Sequence, residues 1–142
     1  MNKFFLCACY LFFSTYALAQ EVRKPKEGDY NRAYCTQLAG SIEAAYRQRN
    51  SKVRVDCLTK SHAIEVDWSD KWAESIGQAL NYAILTRRNA GVILICRRSE
   101  RTCANHIQRM KVTVRVHRLP IDVWFCDQGV FEISECRLDP KG

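Results

Sequence analysis

Residues 52–68, KVRVDCLTKSHAIEVDW, contain the pattern that decides the fold of this 142-residue chain. Residues 52–58 and 62–68 each alternate apolar with polar side chains, and three residues connect the two runs. Two alternating runs joined by so short a connection predict a β-hairpin. Because successive side chains on a strand point to opposite faces, the apolar residues of the second run are expected to face the core.

The flanking segments predict further helices and strands. Apolar residues recur at helical spacing from Tyr34 to Tyr46, which predicts a helix over 34–50. A second helix is expected after the hairpin, capped by Ser69 or Asp70 with Glu74 completing the cap. The later expectations are a buried strand at 91–95 (GVILI), a helix over 99–112 capped by Ser99, and a last strand at 113–116 or 119–125, with IDVWF the stronger candidate.

The predicted order α-β-β-α-β-α-β indicates an α/β fold, a mixed sheet flanked by helices. The domain is expected to span residues 34–127. Residues 20–33 are polar and contain Pro and Gly, which is typical of a flexible lead-in. Residues 128–142 are interpreted as a C-terminal extension.

The N-terminus has the three parts of a cleavable signal peptide over residues 1–19. Lys3 gives a positive start, an apolar run follows to Leu18, and Ala17-Leu18-Ala19 is a small-x-small cleavage site. The alternatives are a membrane anchor, for which the run is short, and a lipoprotein signal around Cys9. The signal peptide predicts a periplasmic or extracellular protein, and no second apolar run predicts stable membrane insertion after cleavage.

Six cysteines follow the signal, and an even number in an exported chain predicts disulfide bonds. Six cysteines allow 15 pairings. Closeness in sequence favours Cys35–Cys57, Cys96–Cys103 and Cys126–Cys136. A zinc site is disfavoured, because the chain has no C-x-x-C and its three histidines are far apart in sequence.

The whole chain carries a formal net charge of +7, of which the signal accounts for one lysine. A basic exported protein is attracted to polyanions, including DNA or RNA, although a solvated basic surface without a specific partner gives the same composition. The nucleic-acid-binding candidates are Arg97, Arg98 and Arg101, which lie at the expected start of a helix. The alternative for these arginines is a solvated loop.

Carboxylates cluster in the hairpin. Glu65 and Asp67 share one face of the second strand, and Asp56 lies near the end of the first. Three converging carboxylates predict a site for a hard cation such as Mg²⁺, which can activate water for phosphoryl chemistry. Two alternatives are an ordinary solvated sheet face and an acid–base pair for glycoside hydrolysis.

These acids also carry a resemblance. An acid on a helix (Glu43), an Asp late in one hairpin strand (Asp56), an acid in the next (Glu65), and a helix with Gln78 and Tyr82 resemble the PD-(D/E)XK nuclease superfamily, which has a restriction-endonuclease-like fold. The resemblance covers residues 34–126. It implies a nuclease using Mg²⁺ or Mn²⁺, with Asp56 and Glu65 as metal ligands and with Glu43 and Gln78 in auxiliary roles.

The sequence departs from that family two residues after Glu65, where Asp67 stands in place of lysine. Lys71 and Lys60 are the candidates to supply the missing positive charge, Lys71 being the nearer downstream. The departure opens a second hypothesis, a catalytically inactive binding module of the cell envelope that keeps the nuclease fold. His62 is either a proton relay or a hydrogen-bonded surface histidine. The tryptophans Trp72 and Trp124 either stack on bases or belong to the core.

Overall fold

The computed structural model describes residues 23–139 of the chain. Its elements are α1 (Glu27–Gln37), β1 (Ser41–Gln48), β2 (Ser51–Leu58), β3 (His62–Trp68), α2 (Trp72–Thr86), β4 (Asn89–Cys96), α3 (Glu100–Val116), β5 (Ile121–Asp127) and β6 (Arg137–Asp139). Short 3-10 turns lie at Ser69–Lys71 and Ile133–Glu135. The signal peptide predicted over residues 1–19 lies outside the described residues.

The strands form one six-stranded mixed sheet in the order β1 to β6. β3, β4 and β5 run parallel to one another, whereas β1–β2, β2–β3 and β5–β6 pair antiparallel. Parallel neighbours need a crossover, and α2 and α3 supply the two that are required here. The predicted class, a mixed α/β sheet flanked by helices, is confirmed.

Helices cover both faces of the sheet. Tyr30 and Tyr34 of α1 pack with Ile64 and Ile93 on one face. On the other face, α2 and α3 cover a second core whose buried members are Ala79, Ala90, Val92, Leu94, Met110, Val114, Ile121, Val123 and Phe125. The run at 91–95 therefore forms the predicted strand buried on both faces. Trp72 and Trp124 are partly buried and pack against these cores.

Three disulfide bonds join neighbouring elements, in the pairing that closeness in sequence favours. Cys35–Cys57 ties α1 to β2, Cys96–Cys103 ties the end of β4 to α3, and Cys126–Cys136 ties β5 to the segment before β6. Such bonds restrict the unfolded chain and are typical of proteins that fold in an oxidising compartment.

The helix predicted over residues 34–50 is wrong. α1 begins earlier, at Glu27, and ends at Gln37, and Ala39 has a left-handed φ of 51°. Residues 41–48 then form β1, which pairs with β2 along its length. Apolar spacing in this segment suits a helix or a strand, and pairing with β2 decides between them. The predicted lead-in over 20–33 is likewise wrong for residues 27–33, which are helical.

Of four smaller expectations, two hold and two change. Residues 113–116 belong to α3, so the last long strand is the IDVWF segment. Residues 69–71 form a 3-10 turn, which moves the start of α2 to Trp72 without a side-chain cap. Residues 137–139 pair with β5, so the segment predicted as a C-terminal extension contributes a short strand to the sheet. Ser99 caps α3 as predicted, with its Oγ accepting from the Thr102 N–H.

Within residues 23–139, no helix combines the length and the apolar character needed to cross a bilayer.

Gly40 lies against the Cys35–Cys57 disulfide. A Cβ at this position would be 2.6 Å from Cys57 Sγ and 2.7 Å from Cys35 Sγ, whereas a Cβ at Gly77 in α2 would meet nothing within 4 Å. We expect Gly40→Ala to lower the free energy of unfolding by about 1–3 kcal/mol because the sulfur atoms must move. Gly77→Ala should raise it by up to about 1 kcal/mol.

Urea denaturation of both oxidised variants measures this difference. Equal stability of Gly40→Ala and the wild type would contradict the packing described for the disulfide.

Candidate active site

Two acidic residues of β3 are buried. Glu65 is 5% exposed and Asp67 is 2% exposed. Tyr82 of α2 packs with Ala63, which shares the face of β3 with Glu65, so this face lies beneath α2. The two acids therefore do not lie on a solvated sheet face.

Asp56 of β2 lies beside Glu65 because of a local separation of the strands. β2 and β3 pair only at Cys57–Ile64 and Leu58–Ala63. Beyond these pairs the Val66 N–H is bonded by a side chain, donating to Asp56 Oδ2 at 3.0 Å. The Asp56 carboxyl group is thereby held close enough to that of Glu65 for each to shift the pKa of the other.

The interaction between these acids shifts the pKa of both. Burial raises the pKa of Glu65 to about 9, and the negative charge of Asp56 adds to the shift. Burial also raises the pKa of Asp56, against the lowering effect of its bond from Val66. Glu65 Oε2 is buried without a hydrogen-bond partner. A buried carboxyl group beside a partly buried one favours a proton or a cation at the pair, because two like charges there repel.

Lys71 faces Asp67 and a residue that sequence analysis did not identify. Its Nζ lies 3.0 Å from Asp67 Oδ1 and 3.6 Å from Glu27 Oε2. Asp67 Oδ1 also accepts from the Trp68 N–H at 2.7 Å. Hydrogen bonding to Asp67 raises the pKa of Lys71. The long stem of Lys71 thus reaches back from the start of α2, and its ion pairs are with Asp67 and Glu27 rather than with Asp56 or Glu65.

Glu27 is the first residue of α1 and joins the site from there. Burial, followed by its hydrogen bond and charge interaction with Asp67, raises the pKa of Glu27 to about 7. Glu27 lies within residues 20–33, which the sequence pattern predicted to be a flexible lead-in. A signal was present: Tyr30 and Tyr34 repeat at helical spacing, and acids are favoured in the first turn of a helix.

Glu43, predicted as the helix acid, lies on β1 at a left-handed φ of 54°. Its half-exposed carboxylate forms an ion pair with Arg54 at 3.7 Å. Its charge still raises the pKa of Asp56 from a distance. The helical position expected for Glu43 is thus wrong, and an acid of α1 is found at the site instead.

Gln78 reaches the site through Tyr82. The Tyr82 hydroxyl donates to Gln78 Oε1 at 3.2 Å, and Gln78 Nε2 donates to Glu74 Oε1 at 3.3 Å. Burial raises the pKa of Tyr82, and the charge of Glu65 adds to this. The polar side chains of Glu74, Gln78 and Tyr82 therefore form a row along α2 that leads toward Glu65.

The arginines lie near Lys71. Arg97 is bonded to Asp70 through Nη2 at 2.8 Å and Nε at 3.2 Å, and its guanidinium lies 4.9 Å from the centre of the Trp68 ring. Arg98 lies 3.6 Å from Asp70. These contacts fix two positive charges at the carboxyl end of the parallel strands. Arg101 is exposed on the first turn of α3.

Lys60 lies in the turn between β2 and β3 and lines a separate cavity with His62. His62 is at the start of β3, on the face opposite Glu65. Neither residue is brought to the carboxylate site.

Asp67 was predicted as a third metal ligand, and its Oδ1 is instead bonded to Lys71 and Trp68. Among residues 23–139, no three His, Cys, Asp or Glu side chains form a group arranged to hold a metal ion. Asp56 and Glu65 form the two-carboxylate pair. Comparisons of the chain with known protein families, curated proteins and solved structures found no match.

The buried acid predicts a pH dependence of stability. The pKa of Glu65 rises from an ordinary 4.5 in the unfolded chain to about 9 in the folded chain, so the folded state binds the proton more tightly. Between these values stability falls as pH rises. In Glu65→Gln, which cannot ionise, we expect a flatter dependence and a gain on the order of 2 kcal/mol at pH near 8.

Urea unfolding in EDTA between pH 5 and 9 measures this, with Glu132→Gln as the matched change at an exposed position. A slope in Glu65→Gln as steep as that in wild type would show that Glu65 is not the titrating group.

Proposed function

We propose that this chain is an exported metal-dependent nuclease that cleaves phosphodiester bonds of DNA or RNA. Asp56 and Glu65 would hold Mg²⁺ or Mn²⁺. The single observation that carries the proposal is the buried Glu65 carboxyl group, which interacts with the carboxyl group of Asp56 and whose Oε2 lacks a hydrogen-bond partner. A cation would replace the proton that the pair otherwise needs.

The donor set fits a hard cation. Mg²⁺ is commonly bound by one or two carboxylates and keeps several waters or substrate oxygens. When bound, such a cation stabilises charge on a phosphoryl oxygen and lowers the pKa of a bound water. Two carboxylates, with Lys71 nearby, suit this use.

Lys71 would bind a phosphate oxygen of the substrate. Its ammonium group is half-exposed, with 43% of the side chain accessible, and Asp67 fixes its position at 3.0 Å. Glu27 has a pKa of about 7, which suits a group that accepts a proton from water near neutral pH. Arg97 and Arg98 would contact neighbouring phosphates along the strand.

The arrangement of elements around the acids supports the resemblance to the PD-(D/E)XK superfamily and its restriction-endonuclease-like fold. Asp56 lies on one strand of a hairpin, Glu65 on the next, and α2 follows with Gln78 and Tyr82. We assign to Glu27 the auxiliary role that was expected of Glu43. The three disulfides and the signal sequence support a nuclease that meets nucleic acid outside the cytoplasm.

One observation favours the alternative, a catalytically inactive binding module with this fold. The Lys71 ammonium contacts Asp67 and Glu27, which compensate its charge. In such a module the basic residues would bind a polyanion without cleaving it.

A cleavage assay tests the proposed function. Purified oxidised protein should cleave DNA or RNA with Mg²⁺ or Mn²⁺ and should lose this activity in EDTA. We expect Asp56→Asn and Glu65→Gln to lower the cleavage rate by at least about 100-fold, because the cation is then held by one carboxylate. Lys71→Ala should lower it by about 10- to 100-fold.

Glu132→Gln is the control, since Glu132 is exposed and far from α2 in sequence. Cleavage by Glu65→Gln at the wild-type rate would disprove the active-site assignment. Binding of nucleic acid without any cleavage would favour the inactive module.

A further inference from the structure

A chain of three side chains lies on the face of the sheet opposite Glu65. Ser61 Oγ is 2.8 Å from His62 Nδ1, and His62 Nε2 is 2.8 Å from Asp122 Oδ2. Ser61 belongs to the turn between β2 and β3, and Asp122 is the second residue of β5. A serine, an imidazole and a carboxylate in this order have the connectivity of an activated serine nucleophile.

The sheet register explains how His62 reaches Asp122 across the intervening strand. Gly91 of β4 pairs with Ile64 on one side and with Asp122 on the other. A Cβ at Gly91 would lie 3.0 Å from Ile64 Cγ1, 3.2 Å from Trp124 Cζ3 and 3.6 Å from His62 Cδ2. The missing side chain therefore leaves the space over β4 that the imidazole crosses.

The contacts also set the tautomer of His62. An ionised carboxylate only accepts hydrogen bonds, so the contact with Asp122 requires the proton on Nε2. In the neutral imidazole Nδ1 then carries the lone pair and accepts from the Ser61 hydroxyl. The side chains of His62 and Asp122 are 19% and 13% exposed, whereas Ser61 is exposed. The base is thus held in a partly buried position and the nucleophile is accessible.

A cavity of about 250 Å³ adjoins these residues. Leu38, Ile64 and Trp124 give it an apolar wall, and Lys60 joins Ser61 and His62 in lining it. The His62 and Trp124 rings meet edge to face at 5.7 Å, which restricts the imidazole. The apolar wall suits a short acyl group, and the Lys60 charge suits an oxygen that becomes negative.

We propose that Ser61, His62 and Asp122 form a second active centre that hydrolyses small carboxylic esters. Ser61 Oγ attacks the carbonyl carbon while its proton passes to His62 Nδ1, and the alcohol leaves with that proton. Water then attacks the acyl-serine, giving one proton to His62 Nδ1. Release of the acid returns this proton to Ser61 Oγ, so one ester and one water give one acid and one alcohol. Asp122 is a positioning residue that holds the imidazole.

The test uses the full oxidised chain with diisopropyl fluorophosphate and with 4-nitrophenyl acetate. We expect covalent labelling at Ser61, located by peptide mass spectrometry, and hydrolysis above the buffer rate. Ser61→Ala and His62→Gln should lower hydrolysis by at least about 100-fold. Ser51→Ala is the matched control, because Ser51 is exposed and its Oγ donates to the Gln48 carbonyl at 2.9 Å, with no imidazole bonded to it.

Unchanged hydrolysis in Ser61→Ala, or labelling of Ser51 as fast as Ser61, would overturn the proposal. Nitrogen NMR of the His62 ring tests the role of Asp122: the wild type should show the Nε2-protonated form, and Asp122→Ala should show a mixture. An unchanged tautomer in Asp122→Ala would overturn that role. The site shares no residue with Asp56 and Glu65, so its outcome is independent of the nuclease assay.

Discussion

The interaction between the carboxyl groups of Asp56 and the buried Glu65 is the constraint around which the central part of this fold is arranged. β2 leaves β3 after two residue pairs, and Asp56 takes over the hydrogen bond to the Val66 N–H at that point. α2 then covers Glu65 with Tyr82. A sheet that served only to bury apolar surface would place apolar side chains here, because burying an acid costs free energy.

The charged residues at this site form two groups, which the pairing of their charges separates. Asp56 and Glu65 perturb each other, whereas Asp67 is compensated by Lys71 and by the Trp68 N–H. Glu27 of α1 belongs to the second group, because it also pairs with Lys71. The Cys35–Cys57 disulfide ties α1 to β2, the strand that carries Asp56. The disulfide therefore joins the two elements that bring Glu27 and Asp56 to the site.

Much of this was predictable from local patterns. The hairpin, the doubly buried strand at 91–95, the Ser99 cap and the three disulfides follow from alternation, composition and closeness in sequence. The strand at residues 41–48 was not predictable, because its apolar spacing fits a helix as well as a strand. Long-range pairing with β2 decides between the two. The acid on a helix is Glu27 rather than the predicted Glu43 for the same reason, because residues 41–48 form a strand and Glu43 lies on it.

The remaining site residues depend on tertiary contacts that no local pattern encodes. Glu27 and Asp67 lie 40 positions apart in sequence and both pair with Lys71 Nζ, and His62 meets Asp122 across 60 positions. Lys71 was predictable because it is the nearest cation downstream of Glu65 and Asp67. The His62–Asp122 contact depends on Gly91, since the absent side chain is what lets the imidazole pass over β4.

Calorimetric titration of Mn²⁺ at neutral pH, repeated in buffers of different ionisation enthalpy, tests the central claim most directly. Because the pKa of Glu65 is about 9, the acid is protonated before the cation binds. The account predicts saturable binding that releases about one proton per ion, and the loss of both signals in Glu65→Gln. Binding that releases no proton, or that is unchanged in Glu65→Gln, would contradict a cation site between Asp56 and Glu65.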